Sequence, residues 1–333
     1  MKALVYTAPN EVTWREEPEP RIAAGEVLMK IDAVGICGSD MHAYHGHDPR
    51  RNPPLILGHE LVGRILEGPG KGRRATVNPL ITCGTCEFCF QGRNNLCANR
   101  TMIGMTRAGG FAEFMTTAAA SVIDIPQDMT EVAAALTEPA ATALHAINVA
   151  ARSLTRPLPE CRTLVIGGGA IGMLTALLLR SYGCRAVSVG ETNALRRESV
   201  RKAAGVSVFD PAAADRAGAP AENSMDLVID AVGGKATRNA ALAAVKPGGV
   251  VMHIGLMDWA SEIDMRKLTL AEITLVGTYT YTTADLRAAV QALYQGAFGD
   301  LAWVEERPLA EGAAAFRDLH AGRAAAAKIV LRP

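Results

Sequence analysis

TLVIGGGAIGM, residues 163–173, joins an apolar run directly to a Gly-x-Gly-x-x-Gly pattern, and this combination is the strongest indication of the fold in the sequence. Gly167 would permit a tight turn, Gly169 would let the backbone approach a pyrophosphate, and Gly172 would let a helix pack closely on the strand. The N–H groups at the start of that helix, Ala170 and Ile171, would face the phosphates with the positive end of the helix dipole. The stretch therefore predicts a strand–turn–helix unit that binds a dinucleotide.

The next strand, AVSVG, ends at Glu191. A carboxylate there can accept hydrogen bonds from an adenosine ribose and would repel a 2′-phosphate, which favours NAD over NADP. Arg196 and Arg197 follow closely and could serve a phosphate, although a solvated helix face is the more ordinary interpretation of both. We expect NAD as the cofactor, with Arg196 as a further candidate for binding it and NADP as the alternative.

Strands and helices alternate on both sides of this unit. Residues 1 to about 120 contain short strand-like runs broken by Gly and Pro, which indicates a barrel-like all-β region. From about Val132 helical and strand patterns alternate, which predicts an α/β fold with a doubly wound parallel sheet. The last strand, KIVLRP, is expected to rejoin the first region.

Composition limits the class of protein. The chain has 333 residues, of which 49% are hydrophobic and 20% charged, and its formal net charge is zero. These values are typical of a globular protein and give no electrostatic reason to expect nucleic acid or an anionic membrane as a partner. The N-terminal stretch lacks a signal-peptide pattern, and no run of about 18 apolar residues occurs. We therefore expect a cytoplasmic protein.

Four of the seven cysteines fall in one short segment, with the spacing C-x2-C-x2-C-x7-C. Four thiolates in one loop can close a tetrahedral site without an open position, which is the structural type of zinc site. An iron–sulfur cluster, a zinc knuckle for nucleic acid and four unrelated buried thiols are the alternatives. The expected structural zinc ligands are Cys83, Cys86, Cys89 and Cys97.

A second group of candidate ligands lies upstream of these cysteines. The segments GICGSDMH, residues 35–42, and GHE, residues 58–60, supply a thiolate at Cys37 and an imidazole at His59. A catalytic zinc needs about three protein ligands and one open position. A lone cysteine or histidine is more often a core residue. Cys37 and His59 are therefore candidate zinc ligands only because of the motifs that surround them.

The chain resembles the zinc-dependent medium-chain dehydrogenase/reductase superfamily, the alcohol dehydrogenases. The matching pieces run nearly end to end in the same order: GICGSDMH, GHE, the four-cysteine loop, GGFAEF, Glu138-Pro139, VIGGGAIG and KPGG. The resemblance implies a GroES-like β-barrel catalytic domain, residues 1–145 and 286–333. It also implies an inserted Rossmann dinucleotide-binding domain, residues 146–285.

The resemblance also implies the catalytic metal ligands. These map onto Cys37, His59 and Glu138, and a carboxylate at the third position is similar to the sorbitol, polyol and threonine dehydrogenase branch. Glu60 resembles a residue that can approach the metal as its water exchanges, and we expect it beside the metal rather than among its ligands.

Roles for the neighbouring side chains follow from the same resemblance. Ser39 is placed to hydrogen-bond the substrate oxygen and pass on its proton, and His42 matches the relay histidine that reaches solvent. Asp40 is expected to orient His59. His45 and His47 either line the substrate mouth or belong to a polar loop. Lys328 stands where a basic residue often lies near the cofactor phosphates, with a solvated lysine as the alternative.

These features together predict a zinc-dependent oxidoreductase that transfers a hydride from a secondary alcohol to NAD, with two zinc ions per chain. The substrate would be a polyol, sugar acid, diol or hydroxy amino acid. A zinc-free quinone or enoyl reductase and a non-catalytic scaffold of the same fold are the alternatives. Such reductases lack the four-cysteine loop and the pair of Cys37 and His59, and a scaffold would need none of Cys37, Ser39, His42, His59 and Glu138. We expect a homodimer or homotetramer, with MHIG and ITLVGTY as candidate interface strands.

Overall fold

The computed structural model of the protein describes residues 1–215 and 217–333. Eighteen strands are found in this described part: β1 (Lys2–Ala8), β2 (Glu11–Glu16), β3 (Glu26–Gly35), β4 (Leu55–Ile56), β5 (Glu60–Glu67), β6 (Arg74–Val77), β7 (Leu80–Ile81), β8 (Thr101–Met102), β9 (Phe114–Ala118), β10 (Val122–Asp124), β11 (Thr163–Ile166), β12 (Val187–Gly190), β13 (Ser207–Phe209), β14 (Met225–Asp230), β15 (Val245–His253), β16 (Thr274–Gly277), β17 (Val304–Pro308) and β18 (Lys328–Arg332).

The same residues form ten α-helices: α1 (Gly38–Tyr44), α2 (Glu87–Phe90), α3 (Glu131–Ala135), α4 (Thr137–Ala151), α5 (Ala170–Ser181), α6 (Ala194–Ala204), α7 (Lys235–Ala244), α8 (Met265–Leu270), α9 (Thr283–Tyr294) and α10 (Gly312–His320). The chain divides into two compact units. Unit 1 is Met1–Pro139, Thr282–Gly296 and Val304–Pro333, and unit 2 is Ala140–Tyr281 and Ala297–Trp303. The domain limits expected from the sequence stay a prediction.

Unit 1 is built on a seven-stranded sheet. Its main path runs β10-β6-β5-β3-β18-β17, and β9 also pairs with β3. Side chains of β3 alternate between buried and more exposed over most of the strand, as expected where one face of an antiparallel sheet covers a core. The C-terminal strand β18 pairs antiparallel with β3, with Val330 opposite Gly35. This pairing brings the last residues of the chain beside the first segment that carries candidate ligands.

Unit 2 is a doubly wound parallel sheet. The strand order is β13-β12-β11-β14-β15-β16, and every neighbouring pair is parallel. The four residues of β11 and the six of β14 are all buried, which explains their nearly continuous apolar sequence. The chain reverses its winding direction between β11 and β14, and ligands of such sheets bind at the carboxyl ends of the strands there. The predicted fold class is confirmed.

One edge of this sheet, formed by β16, is largely exposed. β16 is the terminal strand, and most of its residues are exposed. Of the two segments expected at an interface, only ITLVGTY forms an edge strand, because β15 lies between β14 and β16. No helix within residues 1–215 and 217–333 is long and apolar enough to cross a membrane.

Candidate functional site

Backbone geometry presents the first two candidate ligands. Cys37 is the N-cap of α1, where its Sγ accepts a hydrogen bond from the Ser39 N–H and Asp40 accepts one from the Cys37 N–H. His59 follows Gly58, whose φ is +92°. A Cβ on Gly58 would lie 2.7 Å from the ring of Phe111, so the turn that presents His59 requires glycine.

These elements bring potential metal ligands together within unit 1. One ligand atom each from Cys37, His59 and Glu60 lies within 4.8 Å of the other two. The Oγ of Ser39 is 3.4 Å from His59 Nε2. The buried Glu138, in the first turn of α4, is not part of this group of three. The described structure therefore gathers a thiolate, an imidazole and a carboxylate, with a hydroxyl beside them.

One buried polar atom beside His59 suits a bound cation: Glu60 Oε1, which belongs to the group of potential ligands, is buried without a hydrogen-bond partner. Asp40 Oδ1 lies 3.5 Å from His59 Nδ1, on the side of the ring opposite Nε2, as expected of a carboxylate that orients a metal-binding histidine. Burial alone would lower the pKa of His59, but Asp40 and Cys37 outweigh it and raise that pKa well above the usual value. The site is thus strongly favourable for positive charge.

Lys328 supplies one positive charge in this region. It is only 2% exposed, so it is not a solvated lysine. Its Nζ donates hydrogen bonds to Glu60 Oε2 at 2.5 Å and to the carbonyl of Ile36 at 2.9 Å. Burial would lower the pKa of Lys328, but Glu60, Cys37 and Glu138 together raise it. Glu138 is therefore close enough to act electrostatically on Lys328.

Arg51 is a further residue of this site that no sequence motif indicates. Its side chain is fully buried, and its NH2 group donates to the Oγ of Ser39 at 3.1 Å. The NH1 group donates to the backbone carbonyl of Ser39 at 2.7 Å and to Asp48 at 3.1 Å. Nothing in the run Arg50-Arg51 distinguishes a buried arginine from a solvated one, so the contact of Arg51 with Ser39 could not be predicted from the sequence.

The candidate relay histidine lies on the same helix as Ser39. His42 is half-buried in α1. Burial lowers its pKa first, and the neighbouring His47 and Arg51 lower it further against the opposing effect of Asp48. A histidine with a lowered pKa is mostly neutral at physiological pH, and a neutral imidazole can accept a proton.

The four cysteines of the loop also converge. One Sγ from each of Cys83, Cys86, Cys89 and Cys97 lies within 4.8 Å of the others. The Sγ–Sγ distance is 3.5 Å between Cys86 and Cys89 and also between Cys97 and Cys83, which is far longer than the bond of a disulfide. Thiolates bound to one tetrahedral zinc at about 2.3 Å would be about 3.8 Å apart. The loop therefore fits a closed metal site.

In unit 2, the glycine motif forms the expected cradle. Gly167 has φ of +98°, and a Cβ on Gly172 would collide with the carbonyl oxygen of Gly167. Gly169 is the N-cap of α5 and makes no side-chain cap, and a Cβ there would meet no atom within 4 Å. The open space at Gly169 and the uncapped N–H groups that follow, at Ala170 and Ile171, suit a pyrophosphate.

Glu191 is tied to this cradle. Its Oε2 accepts a hydrogen bond from the Gly168 N–H, and its Oε1 accepts one from the Asn193 N–H, both at 2.7 Å. Arg197 is held by an ion pair with Asp210 at 2.9 Å. The Nε of Arg196 is buried without a hydrogen-bond partner. The two arginines therefore differ: Arg197 is paired with Asp210, whereas Arg196 Nε has no hydrogen-bond partner within the described residues.

A cavity of about 370 Å³ opens at the carboxyl ends of β11 to β13. Its lining includes Ile166, Gly190, Phe209 and Pro211, together with one face of α7. The position next to Glu191 and the largely apolar wall suit an adenine ring. No sequence motif indicates these residues, because they come from separate strands and loops.

Two family models match the chain. The alcohol dehydrogenase GroES-like domain matches residues 23–127, and the zinc-binding dehydrogenase model matches residues 170–295. These matches cover the four-cysteine loop, Cys37 and His59 in the first domain, and much of the parallel sheet in the second.

Individual relatives agree with the family models. The chain is 32% identical to L-galactonate-5-dehydrogenase of Escherichia coli over 89% of this chain and 88% of that protein. It is 30% identical to L-threonine 3-dehydrogenase of Sinorhizobium fredii over 96% and 94% of the two chains. A crystal structure of a zinc-binding dehydrogenase from Sinorhizobium meliloti, bound to NADP, superposes with a TM-score of 0.87 at 29% identity, covering 100% and 99%.

The family predicted from the motifs is thereby confirmed, and so is its enzyme class, a zinc-binding NAD(P)-dependent dehydrogenase that acts on alcohols. The chain belongs to the zinc-dependent medium-chain dehydrogenase/reductase family, the alcohol dehydrogenases.

Proposed function

We propose that this enzyme oxidises a polar secondary alcohol with NAD, at a zinc held by Cys37, His59 and Glu138. The observation that carries the proposal is the convergence of Cys37 and His59, beside the carboxylate of Glu60 and with the Ser39 hydroxyl 3.4 Å from His59 Nε2. Zinc, when bound, supplies a Lewis acid that makes an alcohol easier to deprotonate, and the nicotinamide supplies the hydride acceptor.

The chain's own residues would move the proton. Ser39 would take the proton of the substrate hydroxyl at Oγ as it gives up its own hydroxyl proton, while the Arg51 guanidinium, which donates to the same Oγ, holds it in position. His42, whose pKa is lowered, accepts the proton next and releases it toward solvent. Asp40 keeps the His59 ring in the orientation that leaves Nε2 free to ligate.

Two carboxylates compete for the third ligand position. The proposal of Glu138 is supported by the ion pair between Glu60 and Lys328, because a carboxylate shared with an ammonium is a weaker ligand. Glu60 Oε1 remains buried and unpartnered, which suits a carboxylate that approaches the metal without replacing Glu138. Zinc analysis separates the two: Glu138→Gln should lose one zinc per chain, whereas Glu60→Gln should keep both.

The substrate class is proposed from the ligand type and the relatives. L-Galactonate and L-threonine, named in two relatives, both carry a secondary hydroxyl on a polar, charged molecule. We propose a substrate of the same kind, a sugar acid, polyol, diol or hydroxy amino acid.

NAD is proposed over NADP because Glu191 places a negative charge at the adenosine end of the cradle. That carboxylate is held in position by two backbone N–H groups. A related structure contains NADP, and Arg196 is the residue that would favour a 2′-phosphate here. The ratio of kcat/KM for the two cofactors tests the preference, and a larger value with NADP would reverse it.

We also propose a structural zinc on the four-cysteine loop, a homodimer or homotetramer, and a cytoplasmic location. The oligomer is supported by the exposed edge strand β16 and by exposed apolar side chains near it, including Trp259 (83%) and Leu270 (71%). Large exposed apolar residues commonly mark interfaces. Sedimentation as a monomer would remove this part of the proposal. The location is supported by the seven free cysteines.

The deciding experiment combines metal analysis with turnover. Zinc per chain is measured on purified protein, and absorbance at 340 nm is followed with NAD and a panel of polyols, diols, sugar acids and hydroxy amino acids. Cys37→Ser is compared with Cys161→Ala, a buried cysteine of unit 2. We expect two zinc ions and turnover in the wild type and in Cys161→Ala. Cys37→Ser should lose one zinc and all turnover. No turnover on any alcohol and one zinc or none would contradict the proposal.

A further inference from the structure

Three histidines outside the proposed catalytic site meet on unit 1. His45 is the C-cap of α1, and His320 is the last residue of α10. His45 Nε2 lies 2.9 Å from His320 Nδ1. The ring of His47 has its centroid 5.6 Å from that of His45. The proposed function uses none of these side chains.

The spacing of the first two nitrogen atoms is that of two ligands on one metal ion. Imidazole nitrogens bind zinc at about 2.0–2.1 Å, so two of them on one ion are about 2.9 Å apart at a right angle and about 3.3 Å apart at the tetrahedral angle. Imidazole is a ligand that zinc, copper and nickel all accept. The pair of His45 and His320 therefore needs little or no backbone movement to hold such an ion.

The surroundings favour a cation and hold the rings in place. Both α1 and α10 end at this point, and the carbonyl groups of helix C-termini carry partial negative charge. The buried ring of Tyr44 packs against both His45 and His320, at centroid distances of 5.6 Å and 6.1 Å.

We propose that His45, His47 and His320 form an additional metal site, which takes a divalent ion of the zinc, copper and nickel class with water as the remaining ligand. His47 is exposed on the loop directly after α1, with its ring centroid 5.6 Å from that of His45, and its side chain would have to turn to supply the third nitrogen. The bound ion would tie the C-terminus of α1, the helix of Ser39 and His42, to the C-terminus of α10. The site does not depend on the proposed function.

The test counts zinc on the full-length, tag-free protein after equilibrium dialysis against micromolar zinc chloride. We expect the wild type to bind one more zinc per chain than His45→Ala or His320→Ala. His47→Ala should bind the same ion at least about tenfold more weakly, because loss of even an outer partner of a metal ligand costs that much. His253→Ala, in unit 2, is the control and should match the wild type.

Cys37→Ser separates this site from the proposed catalytic one, because it should lose one zinc yet keep the ion that depends on His320. Circular dichroism of every variant checks that it is folded. Equal zinc binding by the wild type and by the folded double variant His45→Ala/His320→Ala, at all zinc concentrations, would overturn the proposal. The two histidines would then form a hydrogen-bonded pair only.

Discussion

The ammonium of Lys328 and the carboxylate of Glu60 form an ion pair of 2.5 Å in which both side chains are only 1% exposed. Lys328 begins β18, the last strand, and Glu60 begins β5, directly after the candidate ligand His59. Because both strands pair with β3, the C-terminus of the chain completes the surroundings of a site that starts at Cys37. A charge pair buried this deeply tolerates the loss of one partner poorly.

Replacing Lys328 by Met should lower the free energy of unfolding by about 3–5 kcal/mol, because Glu60 would be left as a buried, uncompensated charge. The double variant Lys328→Met/Glu60→Gln should recover part of that loss, since the carboxylate charge is then gone. Urea unfolding of the four proteins measures the coupling. A loss of stability in the double variant equal to the sum of the two single losses would mean that the pair contributes no coupling energy.

Replacing Arg51 by Met should lower kcat by about tenfold to a hundredfold without removing zinc, because Ser39 loses the hydrogen bonds that fix its hydroxyl and carbonyl groups. Arg50→Met is the matched control. Arg50 also pairs with Asp48, but its side chain is 57% exposed, whereas that of Arg51 is fully buried. Steady-state kinetics with zinc analysis checks this, and an equal effect of both variants would argue for a role through Asp48 alone.

Two glycines of the dinucleotide cradle should respond differently to alanine. Gly169→Ala should leave thermal stability nearly unchanged and weaken NADH binding by about tenfold or more, because the new methyl group enters only the open space of the pyrophosphate. Gly172→Ala should instead lower stability by about 1–3 kcal/mol, since its methyl group collides with the Gly167 carbonyl. Fluorescence titration with NADH and thermal unfolding measure the two effects. Normal NADH binding by Gly169→Ala would contradict the proposed position of the pyrophosphate.

After zinc is removed with a chelator, the rate of alkylation should distinguish a thiol of the four-cysteine loop, Cys83, from the buried thiol of Cys161. Hydrogen bonds from Thr85 and Cys97 lower the pKa of Cys83 to about 6, so its thiolate dominates at pH 7. Burial raises the pKa of Cys161 to about 11, so its thiolate is scarce and shielded. Iodoacetamide at pH 7 should label Cys83 rapidly and Cys161 hardly at all, as read by peptide mass spectrometry. Labelling of Cys83 at the same rate before and after chelation would contradict a metal on the loop.

Asp226 should make the stability of unit 2 depend on acid pH. Burial would raise its pKa, but Lys246, the N–H of Arg162 and Arg156 lower it overall. A carboxyl whose folded-state pKa is lowered stabilises the protein above its unfolded pKa, and that contribution is lost as pH falls through the folded value.

Asp226→Asn should therefore cost about 2 kcal/mol of unfolding free energy at pH 7. The difference from wild type should shrink below about pH 4, the ordinary range of an aspartate. Urea unfolding over a pH series measures this, with the exposed Asp300→Asn as the control. A cost that stays constant down to pH 2 would show that the charge of Asp226 is not responsible.

Local patterns in the sequence were sufficient to predict much of the fold and the cluster of four cysteines. TLVIGGGAIGM determined a strand, a turn and a helix because the roles of its glycines depend on neighbours within ten residues. The cysteine spacing determined the convergence of four thiols for the same reason, since one short loop carries all of them. Alternating strands and helices were enough to predict the parallel sheet, because the connection between parallel strands is itself local.

Contacts between distant segments were decided only by the tertiary structure. Lys328 and Glu60 are separated by 268 positions, and His45 and His320 by 275. A lysine, arginine or histidine looks the same in a sequence whether it is solvated or buried against a partner, because its burial depends on which strands and helices pack around it. Cys37, Ser39 and His59 could therefore be predicted from the sequence. The charges and hydrogen bonds of Lys328 and Arg51 that surround them could be seen only in the folded protein.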